Sequence, residues 1–494
     1  MRKELLGMPG MMDRREFLRI VAGATALGMV GDWQARALPV QAATRKDFKG
    51  TIVRVAASAE YYAVAFRMFR EQAEQEYGIK VVPEVIPSHE AYQRVMLEFS
   101  SRASSYDIVM FSPQWLADFA RHLEPLKSMA EAAGLNLSLD DVLPAFRDMY
   151  STWAGTLYAM PFDGDMHILY YNTAAFGNLE YQKRFRDKYG YALAPPQTWE
   201  QYRDMAEFFN GWDWFGDGQK HYGASDGYRP GRTGFWWFMG RFANYGGVYF
   251  DEEMRPLINS PNGVKALQNM VDIFQFAPPG STTFGYTEVE NALVKADAAL
   301  STNWTSVARV AEDPKRSKVV GKIGYAMLPG TTIAGKLHRV GSLASGWSLG
   351  IPKYSKNKEA ALYALELYTR PDVSLKICLN PATGVDYTRR SSVESAEARG
   401  GWPTAPRFLE VIRASVDVGF PAPLIPGAEE YMKVGGDALA AAVAKTKGVK
   451  QALDDAAAEW NRITDRLGRE NQRQLWKAQY DAMKKRGLVY KPLA

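Results

Sequence analysis

From residue 51 onward, short β-branched runs alternate with longer stretches in which apolar residues recur at helical spacing. Residues 51–57 and 79–86 predict strands on either side of a helix at 62–77. A helix at 91–101, a strand at 106–111 and a helix at 115–122 follow. Strands separated by helices predict an α/β layer on a mostly parallel sheet. Ligands of such sheets meet the loops beyond the carboxyl ends of the strands, which here are 58–60 and 112–115.

The pattern then changes at 155–172, GTLYAMPFDGDMHILYYN. It alternates like a strand, breaks at Pro161, passes Asp163 and Asp165, and re-enters an apolar run at 168–171. Proline fixes φ and removes a backbone donor, so the break suits a bend between two packing units better than a central strand. We read the stretch as a first crossing between two lobes; a hairpin edge inside one domain is the alternative.

Beyond it, helices are predicted at 181–189 and 198–210, the second with Thr198 as N-cap and Gln201 completing a capping box. A helix at 234–245 carries Trp236 and Trp237, which must point to different faces. Ser260 and Pro261 open an amphipathic helix at 261–276. A helix at 288–295 precedes a strand at 298–302, with Trp304 at its carboxyl end, and a strand at 323–328 ends in Pro329-Gly330, read as the second crossing. A strand at 346–351, a helix at 358–369 and an irregular return at 378–390 lead to a largely helical tail, including 429–445 and one long stretch at 449–483. Internal repeats and low-complexity segments are absent from the sequence.

Composition narrows the function. A chain of 494 residues is too long for one hydrophobic core and suits two large lobes or about three domains. Aromatic residues make up 13%, with 13 Trp and 26 Tyr, more than a core needs; rings with an apolar face and a polar edge suit the lining of a cleft. The net charge of +5 is mixed in sign along the chain and argues against nucleic acid as partner. Cys378 is the single cysteine, which excludes an intramolecular disulfide. The five histidines lack metal-ligand spacing, and the loop 210–223 reads as a turn: Phe215 and Ala224 stand where a calcium loop needs oxygen ligands beside Asp213 and Asp217. We expect no metal and no cofactor. At the start, Arg14-Arg15 before the mild apolar run 20–30 reads as a twin-arginine-type signal within 1–42, too short to span a bilayer, and predicts a periplasmic protein.

Several stretches in order carry a resemblance: GTLYAMPFDGDMHILYYN, APPQTWEQYRDMAEF, INSPNGVKALQNMVDIF, EVENALVKADAALSTNWTSV, IGYAMLPG and GWSLGIPKYSKNKEAALYALELYT. From about residue 51 to 463 the chain resembles extracellular solute-binding proteins of family 1, the maltose-binding-like receptors of ABC importers. The resemblance implies an α/β, two-lobe periplasmic-binding-protein fold of type II, with discontinuous lobes joined by a hinge and here a helical C-terminal extension. Expected lobes are 45–160 with 329–377, and 161–328 with 378–494. It also implies a monomer that closes on a sugar or polyol-like solute and docks on a membrane permease, without catalysis.

Carried onto this sequence, the resemblance places the acidic ligand position at Asp165, with Asp163 two residues earlier, and an aromatic at Trp304. The loop after 106–111 supplies Ser112, Gln114 and Trp115. Trp347 opens the returning strand, Glu60 follows the first strand, and Arg389 ends a segment whose usual proline is replaced around Asp386 and Tyr387. Trp236 is either a cleft ring or core. These types suit a sugar: carboxylates and amides grip hydroxyls, and rings stack on C–H faces. Asp163 and Asp165, at i and i+2, would point to one side about 6.6 Å apart on an extended chain; Asp163 capping the turn after Pro161 is the other reading. Paired carboxylates also occur in glycosidases, but two on one strand flank one face of a sugar, whereas hydrolysis needs both. A polyamine or an organic anion is the remaining alternative; an anion would require Arg389 or Arg232 in the cleft.

Overall fold

The computed structural model describes residues 46–490; the segment read as a signal lies outside them. The main strands are β1 (Ile52–Ala57), β2 (Lys80–Val85), β3 (Ile108–Phe111), β4 (Ala159–Asp163), β5 (His167–Asn172), β6 (Tyr222–Ser225), β7 (Ala298–Trp304), β8 (Ile323–Ala326), β9 (Gly341–Leu343), β10 (Trp347–Gly350) and β11 (Gly419–Pro421). They form two sheets. The first has the order β2-β1-β3-β10-β4, with β1 parallel to both neighbours and β10 antiparallel to β3 and β4. The second has the order β11-β9-β5-β7-β6, with β8 paired along the same edge of β5 as β9.

The strands β3, β4, β7, β8 and β10 are buried along their whole length; β3 accordingly reads as an unbroken apolar run, while β7 carries Ser301, Thr302 and Asn303 into the interior. Helices supply the cover. Lys358–Thr369 packs on β1 and β4, and Ala405–Asp417 on β5, β8 and β9. The helix Arg232–Asn244 is buried from Gly234 to Asn244 because it is wedged between Pro261–Phe274 and Ala428–Val443. Local signals behave as read: Thr198 and Gln201 form a reciprocal capping box, and Ser260 caps the helix begun by Pro261. The stretch 449–483 is two helices, Val449–Arg466 and Arg469–Lys485, parted at Gly468, which takes a left-handed φ of 89°.

The chain passes between the sheets at Gly164–Met166, between β4 and β5, and again at 344–346, between β9 and β10. Both passages are too tight for side chains at their glycines. A Cβ on Gly164 would lie 2.3 Å from the Tyr387 carbonyl oxygen, and one on Gly346, where φ is 103°, would lie 2.5 Å from the Tyr150 ring. The second passage is therefore not at Pro329-Gly330. There, Gly330 N–H donates to the Gln197 carbonyl and Trp199 N–H to the Gly330 carbonyl; the proline opens an excursion, the hairpin Thr331–Ile333 with Lys336–His338, before β9 rejoins the second sheet. The boundary expected at 378 also moves, since Cys378 lies inside the helix Pro371–Leu379.

Candidate functional site

Between the two sheets lies a cavity of about 210 Å³. Tyr61, Tyr62 and Trp347 line it from the side of the first sheet; Trp236, Tyr286 and Trp304 line it from the side of the second. The crossing segments add Asp165 and Ser345, and Arg229 and Arg232 stand at its edge.

The aromatic walls are held by other rings. Trp304 ends β7 and meets Trp236, Trp237 and Tyr286 edge-on, at centroid distances of 5.4, 4.7 and 5.6 Å, with His167 at 4.3 Å. Trp237 also donates to the Thr302 carbonyl at 2.7 Å, fixing its helix against β7. Burial pushes the pKa of His167 down to about 3, so it packs here as a neutral ring. Opposite, Tyr61 and Tyr62 lie in the first turn of the helix Glu60–Met68, and Gly384 leaves room for Tyr61: a Cβ there would sit 2.8 Å from its ring.

Of the residues expected from the sequence, Asp165, Trp236, Trp304 and Trp347 line this cavity and the others do not. Asp163 is fully buried behind Asp165. Its carboxylate accepts from the Tyr62 hydroxyl at 2.6 Å and from the Asp386 backbone N–H at 2.7 Å, tying the irregular chain after Leu379 to the first crossing. Glu60 points to solvent and pairs with Arg67, because the helix starts there and rotates it away from Tyr61 and Tyr62. Ser112 and Gln114 are buried and bond to each other. Trp115 is buried beside the cavity, edge-on to Trp347 at 5.7 Å. Arg389 is not in the cleft: its guanidinium donates to the carbonyls of Thr369, Ser138 and Leu137, a brace for the side of the first sheet.

Sequence reasoning missed Tyr61, Tyr62, Tyr286 and the buried group around Asp386. The Asp386 carboxylate accepts from Thr305 and pairs with Arg309 at 3.0 Å. One oxygen each from Asp163, Asp165 and Asp386 lie within 4.8 Å of one another. Burial raises the pKa of all three; Asp386 raises Asp163 further, to about 7, while Asp163 and Asp386 together hold Asp165 well above the carboxylate range. Asp163 has no face on the cavity, and the oxygens lie closer together than the ~6.5–9.5 Å of inverting glycosidase carboxyls.

The cavity is closed by contacts across the two sides. Trp115 Nε1 donates to Glu429 Oε2 at 2.8 Å; Arg232 pairs with Glu429 at 2.9 Å and donates to the Ser88 carbonyl at 3.2 Å. Arg232 lies between the rings of Trp115 and Trp236, 5.1 and 5.0 Å from their centroids. Gly427 N–H faces the Asp118 carboxylate at 3.3 Å. The C-terminal helix does not line the cavity. It braces the segment leading to Gly427: Gln472 donates to the Pro426 carbonyl and Gln479 accepts from Leu424 N–H, with Trp476 packed on Phe250. Elsewhere, Asp213 accepts from the backbone N–H groups of Gly216, Asp217 and Gly218, a turn, and one atom each of Asp213, Asp217 and His221 lie within 4.8 Å of one another.

A family model of bacterial extracellular solute-binding proteins matches residues 49–374, well over half of the chain. The chain belongs to that family. It is 28% identical over 453 residues to a probable amino-acid ABC transporter periplasmic-binding protein of Sinorhizobium fredii, covering 90% of this chain and 96% of the relative. A mannitol-binding protein of Pseudomonas aeruginosa is 25% identical over 295 residues, 59% of this chain and 62% of its own length. Among solved structures, a solute-binding protein of Agrobacterium radiobacter in complex with ribitol superposes with a TM-score of 0.73 at 21% identity, covering 85% of this chain and all of that one. The maltose-bound MalE3 of T. maritima gives 0.69 at 24% identity, covering 84% and 100%. The fold of this solute-binding protein is therefore the two-lobed α/β arrangement of periplasmic binding proteins, and its family is one of exported receptors, not of enzymes.

Proposed function

We propose that the chain is the receptor of an ABC importer, and that it captures a sugar or polyol by closing two lobes over it. One lobe carries the first sheet, residues 46–163 with 347–379; the other carries the second sheet, residues 167–343 with 405–490. The observation that carries the reading is a small cavity whose rings come from both sides and which the carboxyl of Asp165 faces from the crossing. Its volume, about 210 Å³, lies below the ~300–1,000 Å³ of pockets for drug-sized ligands and suits a single sugar unit or a linear polyol. Relatives named for mannitol and structures holding ribitol or maltose agree with that class.

Closure brings Trp115, Ser88 and Asp118 against Glu429, Arg232 and Gly427, contacts that exist only when the lobes meet. A loaded receptor then presents one closed shape to its permease. The protein acts as a monomer in the periplasm, exported by the twin-arginine route that Arg14-Arg15 suggests. Thermal shift against monosaccharides, disaccharides, polyols, amino acids and polyamines tests the reading. A ligand at 100 times its dissociation constant adds about 2.7 kcal/mol. Stabilisation by polyhydroxylated compounds is expected; stabilisation by organic anions alone would replace the reading.

A further inference from the structure

We propose that the solute carries a protonated amine beside its hydroxyls, and that Asp165 is the group that recognises the amine; this deepens the sugar or polyol reading and rests on it. Asp163 accepts from Tyr62 and Asp386 N–H, and Asp386 accepts from Thr305 and pairs with Arg309. The carboxyl of Asp165, only 7% exposed and facing the cavity, is hydrogen-bonded to the neighbouring carboxyls of Asp163 and Asp386, which compete for the same protons. A cationic group of the solute can take the place of the proton that these carboxyls share.

The charge around it decides which donor fits. Three carboxylates crowd within 4.8 Å against one buried guanidinium, Arg309. The arginines at the cavity edge do not redress this, because Arg229 is paired with Glu288 at 3.0 Å and Arg232 with Glu429 at 2.9 Å. A hydroxyl could donate one hydrogen bond to Asp165 and would leave the cluster dependent on a bound proton for its charge balance, whereas an ammonium can replace that proton and donates up to three hydrogen bonds. Six aromatic side chains enclose the same space, and their faces attract a desolvated cation. In the empty cleft a proton takes that role, since burial and the two neighbouring carboxylates raise the Asp165 pKa. Binding an ammonium therefore displaces one proton to solvent, and charge balances. A divalent metal fits less well: the oxygens of Asp163 and Asp386 are committed to donors, which leaves one carboxylate where calcium takes 6–8 oxygens.

The test is calorimetric titration of the full chain with glucitol, with its terminal amino analogue glucamine, and with N-acetylglucamine. Glucamine should bind at least tenfold tighter than the other two and release about one proton, read from buffers of different ionisation enthalpy. Asp165→Asn should remove that preference, with circular dichroism reporting that the variant folds. Glucitol binding as tightly as glucamine would overturn the amine and leave the sugar or polyol reading standing. Failure of all three, with binding of a solute lacking hydroxyls, would overturn both. Stabilisation by calcium alone that Asp165→Asn abolishes would make the cluster a metal site and overturn the amine.

Discussion

Trp115→Phe isolates the energy of closure, because the indole N–H spans the two lobes without touching the cavity. Trp115 Nε1 donates to Glu429 Oε2 at 2.8 Å, and Trp115 itself is fully buried. A hydrogen bond to a charged acceptor contributes about 1.5–3 kcal/mol. Open lobes give both groups to water, so the loss falls on the closed state alone. About 1.5–3 kcal/mol corresponds to a roughly ten- to hundredfold weaker dissociation constant. The smaller ring also loosens packing against Tyr92, Phe119 and Trp347. That change lowers the melting temperature of the empty protein and is measured separately. Isothermal titration well below melting, with two or three ligands of different size, reads the closure energy. The reasoning expects the same factor for every ligand, because the lost bond meets none of them. An unchanged affinity, or a loss confined to one ligand, would refute it.

Three further outcomes follow from the same geometry. Asp163→Ala should lower the melting temperature of the empty protein, as it strands Tyr62 and Asp386 N–H at about 1–3 kcal/mol each, whereas Asp165→Asn should leave it unchanged or raise it while weakening the stabilisation by an amine-bearing ligand; the reverse order would mean their roles are exchanged. His167 is held neutral with its pKa depressed to about 3 from 6.5, so the stability it permits is present above pH 6.5 and is lost as pH falls towards 3. Wild type should lose about 2 kcal/mol relative to His167→Leu between pH 7.5 and 5, and parallel chemical-denaturation curves would contradict this. Gly346→Ala forces a Cβ to 2.5 Å from Tyr150 at a φ of 103°. A destabilisation of at least about 1 kcal/mol is expected, and an unchanged denaturation midpoint would show that the crossing relaxes.

The sheets were legible because buried strands leave apolar runs and caps leave Ser, Thr and Pro at fixed offsets; β1, β3 and β7 lie within a few residues of where the pattern puts them. Passages between sheets were legible only where proline coincides with them. Pro161 precedes a true crossing, but Pro329 marks an excursion, and the crossing at 344–346 hides inside GSLASGWSLG, which reads as continuous strand. Site residues divide in the same way. Asp165 and Trp304 sit where extended chain ends, so their direction follows from the strand. Glu60 and Tyr61 are neighbours at a helix start, where a 100° turn decides which one faces the cavity, and the resemblance points to Glu60. Asp386 and Arg309 meet across 77 positions of sequence through irregular chain, which no local pattern encodes. The C-terminal helix was legible as amphipathic; its bracing of residues 422–427 depends on Gln472 and Gln479, residues with no distinguishing pattern.

A crystal structure with the tightest ligand of the panel tests the central claim most directly. The account predicts the ligand within hydrogen-bond distance of Asp165, with rings of both lobes, Trp304 and Trp347 among them, against it, and the bond from Trp115 to Glu429 intact. A ligand seated outside this cavity, or touching the residues of one lobe only, would contradict it.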